Sequence, residues 1–184
     1  WASNKTMKNI FDIKNKIIII TGGAGFLGSE FAMAMSNARA IPVVLDKNDQ
    51  TLESLKKKFI KKKYRGEFIS VDINNERKVN ETINFIIKKY KNIDCLINAA
   101  GFTGQDLQNK KSSFFEKFEN YDFKIWKKSI DGNLSSNFIV TKSVAKHMLK
   151  NKKGSIINIA SDVGIISPDQ TVSMLPTNIA PTII

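Results

Sequence analysis

The sequence KIIIITGGAGFLG at residues 16–28 decides the fold. Its run of β-branched apolar side chains predicts a buried strand over 16–20, and a helical pattern follows over about 26–38. Glycines between the two permit a tight turn, close approach of a pyrophosphate and close packing of helix on strand. The helix N-terminus offers free N–H groups and the positive end of its dipole to phosphates. The stretch predicts a nucleotide site, rather than ordinary turn glycines, formed by Thr21, Gly22, Gly25, Phe26, Leu27 and Gly28.

Strand and helix patterns continue to alternate along the chain. Apolar strand patterns occur at 41–45, 68–71, 93–97 and 154–160. Helical spacing occurs at 50–63, 76–90 and 123–150, and a longer loop spans about 101–120. This alternation implies right-handed βαβ units, so the predicted fold class is α/β, a three-layer Rossmann-like doubly wound parallel sheet. We expect one domain over residues 1–184, with an N-terminal extension at about 1–11, an incomplete C-terminal portion and unassigned residues at about 171–184.

Composition excludes several classes of protein. The 184 residues, 42% hydrophobic and 25% charged, are close to the globular average, which argues against disorder or a fibrous repeat. No apolar run reaches the roughly 20 residues needed to span a bilayer, and no secretory signal is expected. One cysteine, Cys95, cannot form an intramolecular disulfide and suits a reducing compartment. We therefore expect a cytoplasmic protein with no membrane partner and no metal site.

The strong positive charge allows two interpretations. The chain has 29 basic and 17 acidic residues, for a formal charge of +12. Such a charge is typical of a nucleic-acid binder, which would bind DNA with a steep salt dependence. The lysines are nevertheless scattered over several segments, and only three arginines are present: Arg39, Arg65 and Arg77. We favour solvated helix faces and expect no nucleic-acid partner.

An acidic residue ends the second predicted strand. Asp46 follows the last glycine of the turn by 18 residues, where a carboxylate accepts hydrogen bonds from an adenosine ribose and repels a 2′-phosphate. Lys47 follows it and could weaken that exclusion. The alternative is a simple turn residue. The pattern favours NAD over NADP as the cofactor.

These features together resemble the short-chain dehydrogenase/reductase family over about residues 12–170. Asp72, followed by Ile73, matches the family's acidic residue at the end of the third strand, which contacts adenine. The turn Asn98-Ala99-Ala100-Gly101 resembles the family's turn beside the cofactor, which stabilises the sheet. The glycine spacing resembles the extended, sugar-nucleotide-modifying branch, whereas the Asn98 turn resembles the classical branch and carries more weight. The resemblance implies a homo-oligomer that acts on a small molecule, and a sugar derivative is the expected class.

The resemblance also implies two residues of the reaction site. Asn133 matches the helix asparagine that helps to hold a proton-relay water, and Ser161 matches the serine that orients the substrate oxygen. The alternatives are a helix-surface amide and a strand-end hydroxyl satisfied by the backbone. His147 is interpreted as a surface or packing residue rather than a base.

The sequence then departs from the family pattern. The family's acid/base is a tyrosine followed four residues later by a lysine, both after the serine, whereas the tyrosines here are Tyr64, Tyr90 and Tyr121. Residues 154–184 contain neither Lys nor Arg. Three explanations stay open: residues absent from this sequence after Gln170, a truncated gene product, or a non-catalytic relative. The first is favoured, because family members are longer. As it stands, the chain is not expected to be a competent dehydrogenase.

Two functions are therefore carried forward. The leading hypothesis is an NAD(P)-dependent oxidoreductase that transfers hydride between nicotinamide and a small alcohol or ketone. The alternative is a catalytically inactive nucleotide-binding protein of the same family. A Tyr-x-x-x-Lys motif after Ser161 in the intact gene product would support the enzyme, and its absence would exclude it.

Overall fold

The computed structural model describes residues 11–103 and 118–161, which form a parallel sheet covered by helices. The strand order is β3-β2-β1-β4-β5, and every pairing is parallel. The strands are β1 (Ile17–Thr21), β2 (Ile41–Asp46), β3 (Glu67–Ser70), β4 (Cys95–Asn98) and β5 (Ser155–Asn158). The doubly wound α/β prediction is confirmed, although predicted strand ends differ from the observed ones by one or two residues.

Within residues 11–103 and 118–161, five α-helices accompany the strands. They are α1 (Phe26–Asn37), α2 (Asp49–Lys62), α3 (Glu76–Tyr90), α4 (Phe123–Ile130) and α5 (Ser136–Lys150). Asparagine side chains cap the N-termini of α2 and α3. Asn48 Oδ1 accepts from the N–H groups of Gln50 and Thr51, and Asn75 Oδ1 accepts from Lys78 N. Such caps satisfy N–H groups that have no partner inside a helix.

The stretch 123–150, which the sequence predicts to be mostly helical, contains a change of helix type. Between α4 and α5 lies a five-residue π-helical segment, Asp131–Ser135, which we call the π turn. Single π turns inside α-helices widen the backbone and occur frequently at functional sites. This one contains Asn133.

Alternate residues of β1 point into two separate cores. Ile17 and Ile19 pack with α3 and α5, whereas Ile18 and Ile20 pack with α1 and α2. All five residues of β1 are buried, as expected for a central strand covered on both faces. The predicted three layers are therefore present. At the sheet edge, β5 is mostly exposed, and Ile157 keeps 45% of its surface accessible.

The topology brings the predicted site residues to one edge. Strand order reverses direction between β1 and β4, so the carboxyl ends of these strands form the crevice in which such sheets bind ligands. Across the part of the chain that is described, no helix is long and apolar enough to cross a membrane. The boundaries expected at 1–11 and 171–184 fall almost wholly outside the described residues, as does most of the 101–120 loop.

Candidate nucleotide-binding site

The glycine turn begins with a residue that only glycine suits. Gly22 has φ +59°, and a Cβ built there would lie 2.7 Å from Ala100 Cα. The turn after β1 therefore packs directly against the turn after β4. Any side chain at this position would be strained and would also push the two turns apart.

Gly25 and Gly28 have different roles in the same turn. A Cβ on buried Gly28 would lie 2.3 Å from Gly22 O and 2.6 Å from Gly23 Cα, so this glycine lets α1 pack beneath the loop. Among the described residues, a Cβ on exposed Gly25 would approach only Gly22 O, at 3.1 Å. Gly25 thus leaves open the space in front of the helix. Gly23, which the sequence pattern did not single out, packs so tightly that its Cβ would lie 2.9 Å from Val44 Cγ1.

Helix α1 starts without a side-chain cap. Gly25 is its N-cap residue and supplies no side-chain acceptor, and the first turn contains no acidic residue. The N–H groups at a helix N-terminus have no partner within the helix and carry its positive dipole end. Phe26 and Leu27 are 88% and 49% exposed, so this end of α1 faces outward. The arrangement suits an anion.

Thr21 fastens the two turns together. Its buried hydroxyl oxygen accepts hydrogen bonds from Ala99 N at 3.2 Å and Ala100 N at 3.3 Å. The side chain therefore positions the turn after β4 rather than facing outward. Together with Gly22, it fixes the spacing between the two turns.

Asn98, the first residue of that second turn, is fully buried. Its Nδ2 donates to Thr141 Oγ1 at 2.9 Å and to Asn158 Oδ1 at 2.8 Å, which joins β4 to α5 and β5. Within residues 11–103 and 118–161, its Oδ1 receives no hydrogen bond. Asn98 thus connects β4 to the strand and the helix beside it.

Asp46 lies at the end of β2, beside the glycine turn. Its Oδ2 accepts from Ala24 N at 3.1 Å and its Oδ1 accepts from Asn48 N at 3.1 Å. Because each carboxylate oxygen has two lone pairs, both keep capacity for a further donor. The carboxylate is partly exposed, so it adds negative charge where β2 ends.

Asp72 and Ile73 follow β3 and differ in exposure. Asp72 is exposed, and its Oδ1 accepts from Asn74 N at 3.0 Å in a local turn. Ile73 is buried and belongs to the core on the α3 side. Their backbone continues the carboxyl edge of the sheet, next to the end of β2.

Asn133 clamps the loop that follows β4. Its Oδ1 accepts from Phe102 N at 2.8 Å, and its Nδ2 donates to Phe102 O at 3.1 Å. A Cβ on Gly101 would lie 3.1 Å from the same Oδ1, and a Cβ on Gly132 would lie 2.5 Å from Phe102 Cβ. The side chain of Asn133 is thus committed to the backbone of Phe102. Its main-chain carbonyl accepts a hydrogen bond from Asn137 Nδ2 at 2.9 Å.

Ser161 lies three residues beyond β5 and is half-buried. It follows the strand whose last residue, Asn158, bonds Asn98, so it continues from the same edge of the sheet as the two turns. The structure thus brings the glycine turn, Asp46 and the Asn98 turn together, and it joins Asn133 to Gly101 and Phe102.

None of the three tyrosines has the environment of a base at this site. Tyr64 donates to Asn37 Oδ1 at 3.1 Å, near the end of α1. Tyr90 donates to Glu67 Oε2 at 2.8 Å, at the amino end of β3. Burial raises the pKa of Tyr121, which is the opposite of what a general base near neutral pH requires.

A cluster of charged residues lies at the amino ends of β1 and β4, on the opposite side of the sheet from the glycine turn. Asp94 accepts from Lys16 Nζ at 2.9 Å and from Ile17 N at 3.0 Å, and Lys153 lies 3.7 Å away. Burial alone would raise the pKa of Asp94, but the Ile17 N–H and the two lysines outweigh it and lower that pKa. This cluster holds β1 to β4 and is remote from the glycine turn.

Fold and site together define a Rossmann-like doubly wound α/β protein. The chain belongs to the short-chain dehydrogenase family, because the family model described as short chain dehydrogenase matches residues 16–173. Members of this family are oxidoreductases that bind nicotinamide cofactors and act on small molecules. The family prediction is therefore confirmed.

The regions that align with individual relatives include most of this chain. It is 32% identical over 151 residues to 3-oxoacyl-(acyl-carrier-protein) reductase FabG of Buchnera aphidicola subsp. Baizongia pistaciae, covering 82% of this chain and 57% of that one. It is 26% identical over 163 residues to an NAD-dependent glycerol dehydrogenase of Listeria innocua, covering 89% and 59%. A crystal structure of an NAD⁺-bound xylitol dehydrogenase shares the fold with a TM-score of 0.77, 24% identity and coverage of 88% and 58%. The chain thus spans less than two thirds of these relatives.

Proposed function

We propose that this protein is an NAD-dependent dehydrogenase or reductase that acts on a small-molecule alcohol or ketone. The observation that carries the proposal is the cradle formed by the two packed turns, with Asp46 beside it at the same sheet edge. A Cβ on Gly25 would project into the open space before α1, so the absence of a side chain there suits a phosphate that approaches closely.

Different residues at the carboxyl ends of the strands would bind different parts of the dinucleotide. The N-terminus of α1, at Gly25 to Gly28, would hold the pyrophosphate through N–H groups and the helix dipole. Asp46 would accept hydrogen bonds from the adenosine ribose, and Asp72 with Ile73 would border the adenine. The turn formed by Asn98, Ala99 and Gly101 would line the nicotinamide side. These residue types and positions fit an NAD molecule.

The preference for NAD over NADP rests on charge. Asp46 keeps a partly exposed carboxylate at the position where NADP would carry its 2′-phosphate, and the two negative charges would repel. Lys47 is exposed and adjacent, which limits the discrimination. The relative from Listeria innocua that is named NAD-dependent supports the same preference.

The reaction groups would occupy the other half of the crevice. Bound nicotinamide would supply hydride transfer. Ser161 would donate to or accept from the substrate oxygen and so orient it. Asn133 would hold the loop through Phe102, and its carbonyl, which accepts from Asn137 Nδ2, has a second lone pair that would accept from a water. A Tyr-x-x-x-Lys pair of the intact gene product would donate the proton. Tyr64, Tyr90 and Tyr121 are not part of such a pair, because none of them is followed by a lysine four residues later.

The substrate and partner proposals are broader. Sugar-derived alcohols and 3-oxoacyl compounds are the two small-molecule classes to test first. We also propose that the protein works in the cytoplasm as a homo-oligomer. Large apolar side chains are exposed along α4, the π turn and α5, as such an interface requires. They are Phe123, Trp126, Leu134 and Phe138.

A calorimetric titration with NAD and NADP tests the cofactor proposal. The wild-type protein is expected to bind NAD more tightly, and Asp46→Asn is expected to weaken NAD about tenfold while reducing the difference between the two cofactors. Asp49→Asn is the matched control, because it removes the same charge three residues away. The dehydrogenase proposal is abandoned if wild-type protein binds neither cofactor. Whether the intact gene product has a Tyr-x-x-x-Lys motif after Ser161, and whether it forms NADH from alcohols, then separates the enzyme from a non-catalytic nucleotide-binding relative, which binds without turnover.

A further inference from the structure

The π turn is held by side chains that bond backward to main-chain carbonyls. Ser136 Oγ donates to Gly132 O at 2.9 Å, and Asn137 Nδ2 donates to Asn133 O at 2.9 Å. Both bonds span four residues, the pattern in which polar side chains compete with the helical ladder and bend it. The irregular backbone around Asn133 therefore has specific partners on the first turn of α5.

Asn137 is an unusual residue for this position. It is half-buried, and its Oδ1 is fully enclosed yet receives no hydrogen bond from any residue in the described parts of the chain. Burying an unpaired amide oxygen is unfavourable, so this oxygen lowers the free energy of unfolding instead of raising it. Its orientation is nevertheless fixed, because a main-chain carbonyl can only accept and Asn133 O must face the amide nitrogen.

The bond from Asn137 leads directly to the candidate site. Asn137 holds the carbonyl of Asn133, whose side chain makes both hydrogen bonds to the backbone of Phe102. Any rotation of the π turn at Asn133 would change the direction of that side chain and release the loop after β4. Asn137 is thus linked to the turn that lines the crevice through Asn133, by one hydrogen bond to the Asn133 carbonyl and by the hydrogen bonds between Asn133 and Phe102.

We propose that Asn137 is a positioning residue: by holding the Asn133 carbonyl, it fixes the π turn and keeps the Asn133 side chain clamped on Phe102. Its effect on nicotinamide binding rests on the proposed function, whereas its effect on the loop does not. A leucine, which has the same branching at Cγ although its methyl groups are larger, would occupy this position without an unpaired oxygen. Asn137→Leu therefore separates positioning from stability.

Hydrogen exchange of the Phe102 amide reports the clamp directly, because this N–H donates to Asn133 Oδ1. In Asn137→Leu, measured by NMR on the full chain, we expect this amide to exchange about tenfold faster than in wild type while Tm is unchanged or higher. Asn137→Ser should keep exchange within about twofold, since a hydroxyl can bond the carbonyl four residues back as Ser136 does. Asn151→Leu, an exposed change at the C-cap of α5, is the control and should leave Phe102 unaffected.

Binding measurements complete the test. Asn137→Leu should weaken NADH binding about tenfold and leave AMP binding, which probes the adenosine half alone, unchanged. The proposal is overturned if Phe102 exchange stays at the wild-type rate in Asn137→Leu, or if Asn137→Ser behaves like Asn137→Leu. A lower Tm with equally faster exchange throughout the core would also overturn it. If wild-type protein fails to bind NADH, the proposed function fails, and the exchange experiment still decides the role of Asn137.

Discussion

Alanine substitutions at two glycines of the same turn should affect different properties: stability at Gly28 and NADH affinity at Gly25. At Gly28, the new Cβ would meet backbone atoms at 2.3 and 2.6 Å, which cannot move aside as a flexible side chain would. Overpacking of this kind costs typically about 1–3 kcal/mol, and this contact belongs at the upper end. Alanine has a higher helix propensity than glycine, which stabilises α1 by about 1 kcal/mol and offsets part of this cost. We expect Gly28→Ala to lower the free energy of unfolding by about 2 kcal/mol.

At Gly25 the same substitution meets little resistance. Its φ of −75° is open to alanine, and the nearest atom would lie 3.1 Å away. Losing glycine at an N-cap costs about 0.5–1 kcal/mol, and the reduced freedom of the unfolded chain offsets a similar amount. Stability should therefore change by less than about 0.5 kcal/mol. The methyl group occupies the space before α1, so NADH affinity should fall about tenfold or more, equivalent to about 1.4 kcal/mol.

Thermal unfolding and NADH titration of both variants measure these effects. For a chain of this size, about 2 kcal/mol corresponds to a Tm decrease of roughly 4–8 °C in Gly28→Ala, whereas Gly25→Ala should stay within about 2 °C of wild type. A Gly25→Ala protein that binds NADH normally would refute the assignment of this glycine to the phosphate. A Gly28→Ala protein of wild-type stability would refute the packing argument.

Three further substitutions test the rest of the structure. Asp94→Asn should lower stability by about 1 kcal/mol at pH 7. Because the folded pKa of Asp94 is lowered, its contribution is present above the unfolded pKa near 4 and lost as pH falls through the folded value, so urea unfolding should show the difference shrinking in acid. Tyr90→Phe removes the bond to Glu67 and should cost about 1 kcal/mol in the same assay, with NADH affinity unchanged because both residues are remote from the glycine turn. Gly132→Ala should displace Phe102, 2.5 Å from the new Cβ, and weaken NADH binding while AMP binding is retained.

The sheet and the glycine turn were predictable because local patterns determine them. Four isoleucines followed by a glycine-rich turn can hardly form anything but a buried strand entering a helix, and β1 is buried at every residue. The position of Asp46 followed from the same repeat of strand and helix. Its two hydrogen bonds, to Ala24 and Asn48, depend on atoms near it in the fold and were not predicted.

Other features depend on contacts between distant residues. The clamp of Asn133 on Phe102 joins residues 31 positions apart, and spacing in the sequence does not show it. One signal was present, since a glycine inside a helical pattern is unfavourable unless packing requires it. Gly132 is such a glycine, and Phe102 packs against it. The π turn itself leaves no comparable pattern in the sequence.

The central claim is that the carboxyl edge of the sheet binds NAD(H) between the turn after β1 and the turn after β4. Hydrogen exchange of the full-length protein with and without saturating NADH tests it most directly. NADH should slow exchange at residues 21–28 and 98–102 and leave the Asp94 cluster at the opposite edge unchanged. Absence of protection at both turns, or protection confined to the opposite edge, would contradict the claim.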